Sequence, residues 1–308
     1  MADPFLCYKL QNDYWASVVS LPSAFGNPIQ LFVNRESSVV SFSSLTSHVS
    51  RLTSHDFTSS PCTLDHSADV PTFKFQLKVM KTVIITGVSG NLGQAVAKKF
   101  LDENFKVIGT IVPNDPVKLD ISHPNFETVV VDLMNEEDSE KFVRSVVEKN
   151  KTIDVAVLTV GGFAMGSIAE TKMADILKQH KLNFQTTYHV ARPVFVQMIK
   201  QGGGRIFLTG ARTGSDMKFS KGTTAYGLSK SLVFRLAELM NEEAKGKNVL
   251  TSVIAPSIID TPQNRESMPK ANPSDWVRAE DIANIVYFYS TGEAAVLRET
   301  VLKIYNNA

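Results

Sequence analysis

Residues 83–102 read Val-Ile-Ile-Thr-Gly-Val-Ser-Gly-Asn-Leu-Gly-Gln-Ala-Val-Ala-Lys-Lys-Phe-Leu-Asp. The short β-branched run Val83–Thr86 reads as a buried strand, and the amphipathic stretch around Gln94–Asp102 as a helix. Between them lie glycines at 87, 90 and 93. Glycines at a strand-to-helix turn let the chain bend tightly and approach a pyrophosphate closely. The N–H groups and positive dipole end of the helix then face the phosphates. Glycine triplets are common, so it is the position between strand and helix that gives this one meaning. Gly87, Ser89, Gly90, Asn91, Leu92 and Gly93 are therefore candidate dinucleotide-binding residues.

The same alternation continues outward from this unit. Strands are expected at Lys106–Val112, Thr128–Asp132, Val155–Thr159, Arg205–Thr209, Leu250–Ile254 and Val301–Tyr305. Helices are expected at Glu136–Lys149, as one long element over Met173–Lys200, and at Ala225–Lys245 and Ala279–Ser290. Gly202-Gly203-Gly204 reads as a helix-to-strand turn. Near-continuous apolar strands alternating with helices imply a parallel sheet covered on both faces. The fold class is α/β, a doubly wound parallel sheet.

Composition narrows the field. The 308 residues carry 32 Lys and Arg against 31 Asp and Glu, a net charge of +1. That balance gives no electrostatic footprint for nucleic acid or an anionic membrane, and no apolar run is long enough to span a bilayer. Cys7 and Cys62 form neither a disulfide framework nor a zinc site, so no metal is expected and a reducing, cytoplasmic setting is the simplest reading. The texture changes near Met80. Residues 1–79 hold 14 Ser and only one glycine, Gly26, with short β-prone pieces at Ala16–Leu21 and Ile29–Val33. This segment is read as a Ser-rich, poorly ordered extension or as sequence upstream of a start at Met80. An organellar transit peptide is the alternative, against which stand six acids to five bases. Residues 80–308 make the single α/β domain.

Tyr226-Gly227-Leu228-Ser229-Lys230 opens a helix, and four-residue spacing sets Tyr226 and Lys230 on one face. A free phenol titrates near ~10. A neighbouring ammonium favours the phenolate and is expected to bring it toward the working range. With the glycine loop some 130 residues upstream, residues 80–308 resemble the short-chain dehydrogenase/reductase family, whose sheet is of the Rossmann type. The resemblance implies that Asp132 and Leu133 sit by the adenine of a bound NAD or NADP, and that Gly161 and Gly162 follow the fourth strand. It further implies that Pro256 and Thr261 lie along the nicotinamide, that Lys230 binds the nicotinamide ribose, and that Asn183 holds a water in a proton relay. A small-molecule substrate is implied, as is a homodimer or homotetramer formed through helices that include Tyr226–Lys245.

Several positions depart from the family pattern. The acid that usually ends the second strand falls on Ile111, which leaves NAD and NADP both open, and Asp115 reads as a solvated loop residue. Asn91 stands where many members have glycine. The serine that normally binds the substrate carbonyl falls on Ala211, with Thr209 and Thr213 nearby and Arg212 following it. These features, with Asp260-Thr261-Pro262-Gln263-Asn264-Arg265-Glu266-Ser267-Met268-Pro269, resemble the dihydropteridine reductase branch. That resemblance implies reduction of a small cyclic substrate with Tyr226 as proton donor. The alternatives are a carbonyl or sugar-type reductase with a replaced serine, and a dinucleotide sensor without turnover. Met268 and Trp276 either line a proline-punctuated lid or anchor an ordinary loop.

Overall fold

The computed structural model describes residues 5–10, 14–21, 29–32, 80–117 and 119–307. The chain forms two units, residues 1–79 and 80–308. In the first, β1 (Phe5–Leu10), β2 (Tyr14–Leu21) and β3 (Ile29–Phe32) form an antiparallel sheet in that order. The β-prone pieces fall on β2 and β3. The Ser-rich stretch that follows lies outside the described residues.

The second unit begins with β4 (Thr82–Thr86), α1 (Asn91–Asp102), β5 (Lys106–Ile111) and β6 (Phe126–Val130). It continues through α2 (Glu136–Asn150), β7 (Val155–Leu158), α3 (Met173–Gln179), a π-helical segment His180–Gln185 and α4 (Thr186–Gln201). Next come β8 (Gly204–Thr209), α5 (Arg212–Ser215), α6 (Thr224–Glu243) and β9 (Val249–Pro256). The last elements are β10 (Ile259–Asp260), α7 (Pro262–Ser267), β11 (Val277–Arg278), α8 (Ala279–Tyr289) and β12 (Val301–Ile304). Seven strands form one parallel sheet in the order β12-β9-β8-β7-β4-β5-β6. The order reverses beside β4, and in such sheets ligands bind outside the carboxyl ends of the strands at that reversal.

Alternation along each strand supplies both faces of the sheet. Ile84, Leu158, Ile206 and Val253 pack with Phe142, Val194 and Ala237 of α2, α4 and α6. Val83, Ile85, Val157 and Ile254 pack on the other face with Val96, Phe100, Ile282 and Val286 of α1 and α8. Two sequence expectations are corrected. The third strand lies two residues earlier than Thr128–Asp132, because Asp132 Oδ1 accepts from Met134 N and closes a turn there. The long helix over Met173–Lys200 is not one α-helix. Its middle turn is π-helical, and such segments often mark functional sites.

Candidate active site

The glycine loop leaves β4 through Gly87 at φ +64°, a left-handed conformation that favours glycine. A Cβ on Gly93 would lie 2.4 Å from the Gly87 carbonyl oxygen, so loop and helix are packed backbone to backbone. Helix α1 has no side-chain cap and no acid in its first turn. Its leading N–H groups and positive end therefore suit a pyrophosphate. Ser89 and Gly90 shape the approach, and Asn91 and Leu92 present main-chain N–H groups, the Leu92 side chain being buried in the core.

Two side chains join this loop to distant segments. Ser89 Oγ donates to Asp115 Oδ2 at 2.5 Å, and Val117 N donates to Asp115 Oδ1 at 3.0 Å. The Ser89 hydroxyl, and then the Val117 N–H, hold the Asp115 carboxyl below the usual carboxylate range. Asp115 is thus a solvent-accessible loop residue, as read from the sequence, that is tied to the glycine loop through Ser89. Asn91 Nδ2 donates to Gln263 Oε1 at 3.0 Å, linking α1 to α7 across 172 positions.

A second cluster forms where β7 and β8 end. Asn183, fully buried in the π-helical turn, accepts from Gly162 N at 2.9 Å. Its amide donates to Gly162 O, Gln179 Oε1 and Ser229 Oγ at 3.0, 2.8 and 3.0 Å. Lys230 is buried, and its Nζ donates to Thr209 O at 2.7 Å. A Cβ on Gly161 would lie 2.6 Å from Asn183 Oδ1 and 3.0 Å from Lys230 Nζ, so only glycine lets these two groups converge. Tyr226 stands beside them, with Lys230 Nζ 6.0 Å from its ring centroid and Phe163 edge-on at 5.0 Å. Desolvation pushes the Tyr226 phenol up to about 12 and the Lys230 ammonium down to about 8. The expected lowering of the phenol is therefore not met by the chain alone. The ammonium points at the Thr209 carbonyl oxygen, and burial disfavours the phenolate.

Ala211 is buried at the place of the expected serine. The neighbouring Thr209 and Thr213 hydroxyls are also buried, and neither has a hydrogen-bond partner among the described residues. Arg212 stacks on Phe219, 3.3 Å from the ring centroid, and lies 4.6 Å from that of Tyr305. Pro256 ends β9, and Thr261 caps α7 by accepting from Asn264 N at 3.1 Å. Trp276 is only 3% exposed, so it anchors its loop from within and does not line a lid. Asp132 and Leu133 follow the end of β6. Leu133 is in the core, with its carbonyl oxygen 2.9 Å from His189 Nδ1.

The structure thus gathers Gly161, Gly162, Asn183, Tyr226 and Lys230 into one group. The glycine loop and Thr261 are tied together by the Asn91–Gln263 bond. Gln179, Ser229 and Phe163 escaped the sequence reading. Ser229 lies between Tyr226 and Lys230, but a serine there carries no distinctive signal.

Residues 81–272, more than half of the chain, match the family model described as short chain dehydrogenase. The chain is 25% identical over 240 residues to 3-oxoacyl-[acyl-carrier-protein] reductase FabG of Buchnera aphidicola, covering 73% of this chain and 95% of the relative. It is 26% identical over 222 residues to the cyclic-di-GMP-binding biofilm dispersal mediator protein of Escherichia coli, covering 70% and 91%. Among solved structures, a short-chain type dehydrogenase/reductase from Mycobacterium ulcerans aligns with a TM-score of 0.66 at 22% identity, covering 75% of this chain and 90% of that one. Ligand-free aldohexose dehydrogenase from Thermoplasma acidophilum aligns at 0.64 and 21%, covering 73% and 92%.

Proposed function

The chain belongs to the short chain dehydrogenase family, an NAD(P)-dependent oxidoreductase, and from that premise we propose that it reduces a small, conjugated cyclic substrate with Tyr226 as proton donor. The observation that carries this reading is the contrast around Lys230. The Tyr226, Lys230 and Asn183 group is intact and braced, while the serine position holds a buried Ala211. A simple ketone needs a donor on its developing oxyanion. An electron-poor conjugated ring, such as that of a dihydropterin, spreads the incoming charge and chiefly needs a proton.

The dinucleotide, when bound, supplies the hydride. The first turn of α1 would hold its phosphates, and Gly161 and Gly162 would form the floor of its site. Asn183 fixes that floor through both main-chain groups of Gly162. Tyr226, with its phenol pushed up to about 12, keeps its proton at neutral pH and so is loaded as an acid. Lys230 carries a positive charge below about pH 8 beside it and favours the phenolate once the proton has left.

For the nucleotide, the Asp115 carboxylate on Ser89 supports NAD over NADP, since an anion beside the glycine loop opposes a 2′-phosphate. Exposed Leu228, Leu232 and Leu239 on α6 support a homo-oligomer packed through that helix.

The test is oxidation of NADH and NADPH with a dihydropterin and with a panel of ketones and aldehydes. Turnover of the dihydropterin, abolished by Tyr226→Phe with NADH affinity unchanged, is the expected result. Turnover of simple carbonyls alone would replace the cyclic substrate. Equal silence of wild type and variant, with tight nucleotide binding, would make the protein a sensor.

A further inference from the structure

Beside Tyr226 the surface changes character. Phe163, Met165 and Ile168 follow β7 and are 62%, 79% and 81% exposed, and Met217, in the loop before α6, is 84% exposed. Their two loops are clipped together by main-chain bonds: Gly166 N donates to Gly222 O at 2.8 Å, and Thr224 N donates to Gly166 O at 3.0 Å. Two acids of the same loops are turned onto neighbouring groups of the chain. Glu170 accepts from Ser167 N and Oγ, and Asp216 accepts from Lys218 N. Polar groups thus hold the shape of the loops while the large apolar ones stand in water, an arrangement that costs free energy unless something covers them. The patch is continuous with the catalytic group through Phe163, whose ring meets Tyr226 edge-on.

We propose that these residues form an apolar wall for the substrate, which carries a hydrophobic ring or chain next to its reducible centre. The proposal rests on the cleft reading above and narrows its substrate to an amphipathic one. Covering one methylene on such a wall is worth about fourfold in affinity.

The experiment titrates straight-chain amides, from acetamide to octanamide, into protein saturated with NADH and follows nucleotide fluorescence. The expected result is a Kd falling roughly three- to fourfold per methylene over the first several carbons. In the Met165→Gln/Met217→Gln double variant that dependence should drop by half or more, with NADH affinity and thermal midpoint unchanged. A Kd independent of chain length, or an unaltered dependence in the variant, would overturn the proposal. Loss of oligomerisation in the variant with unaltered amide binding would assign the patch to a second copy and would also overturn it. Should NADH fail to bind, the cleft reading falls by itself. The amide series, repeated by calorimetry on the bare protein, then decides the wall independently.

Discussion

Lys230 Nζ donates to the main-chain oxygen of Thr209 at 2.7 Å and stands 6.0 Å from the Tyr226 ring centroid. The lysine is therefore held by the end of β8. The sheet, more than the tyrosine, decides where its charge lies. Burial lowers its ammonium to about 8, against an ordinary 10.5. Between those values the unfolded chain binds a proton that the native chain does not, so stability rises with pH across that window.

Lys230→Met should remove this rise. Between pH 8 and 9.5 wild type should gain roughly 2 kcal/mol relative to the variant, measured by urea unfolding at each pH. Above about pH 10.5 the difference levels off, while wild type and variant alike lose stability with rising pH, because the Tyr226 phenol keeps its proton in the native chain up to about 12. A flat difference between wild type and variant would show that the lysine is not desolvated.

Asn183→Ala strands Gly162 N and O and Gln179 Oε1 at one point, while Ser229 Oγ keeps its bond to Tyr226 O. Buried groups left unbonded cost about 1–3 kcal/mol each, partly relieved by rearrangement. A loss of about 2–4 kcal/mol, or roughly 5–12 °C in Tm, is expected by calorimetry. A loss within experimental error would mean that the Gly161–Gly162 floor does not depend on this brace.

Asp115→Ala removes the carboxylate from Ser89. Wild type should prefer NADH, and the variant should narrow that preference roughly tenfold or more, as expected when a charge opposing the 2′-phosphate is lost. Steady-state comparison of the two nucleotides reads this directly. An unchanged ratio would place nucleotide choice elsewhere.

Asn91→Gly restores the residue common in the family and deletes the bond to Gln263. An exposed amide–amide bond is worth the low end of about 0.5–1.5 kcal/mol, so NADH release should quicken about two- to fivefold in stopped-flow displacement. Gln263→Ala should do the same, and the double variant should add nothing further. Additive effects would mean that the two residues act separately.

Much of this was legible in the sequence because it rests on local periodicity. Val83–Asp102 declares strand, turn and helix through residue type alone, and Tyr226 and Lys230 fall together through helical spacing. What was hidden depends on contacts over long separations. The fate of Asp115 depends on Ser89, 26 positions away, and that of Asn91 on Gln263, 172 positions away. The π-helical turn was invisible for another reason. Its residues His180–Gln185 have ordinary helical composition, and only Asn183 reaching to Gly162, Gln179 and Ser229 distinguishes the turn. Trp276 stayed open between lid and loop anchor, because a proline-rich loop hides how deeply one aromatic residue is sunk.

The clip between Gly166 and residues 222–224 has a mechanical meaning. Its two main-chain bonds couple the loop after β7 to the loop before α6, and one of them ends on Thr224, the first residue of α6 and two positions before Tyr226. A ligand that pushes the 163–168 loop outward therefore also pulls on the start of the helix that carries the phenol. Fit and chemistry are geared to one another, and a poorly fitting molecule misaligns the acid that would protonate it.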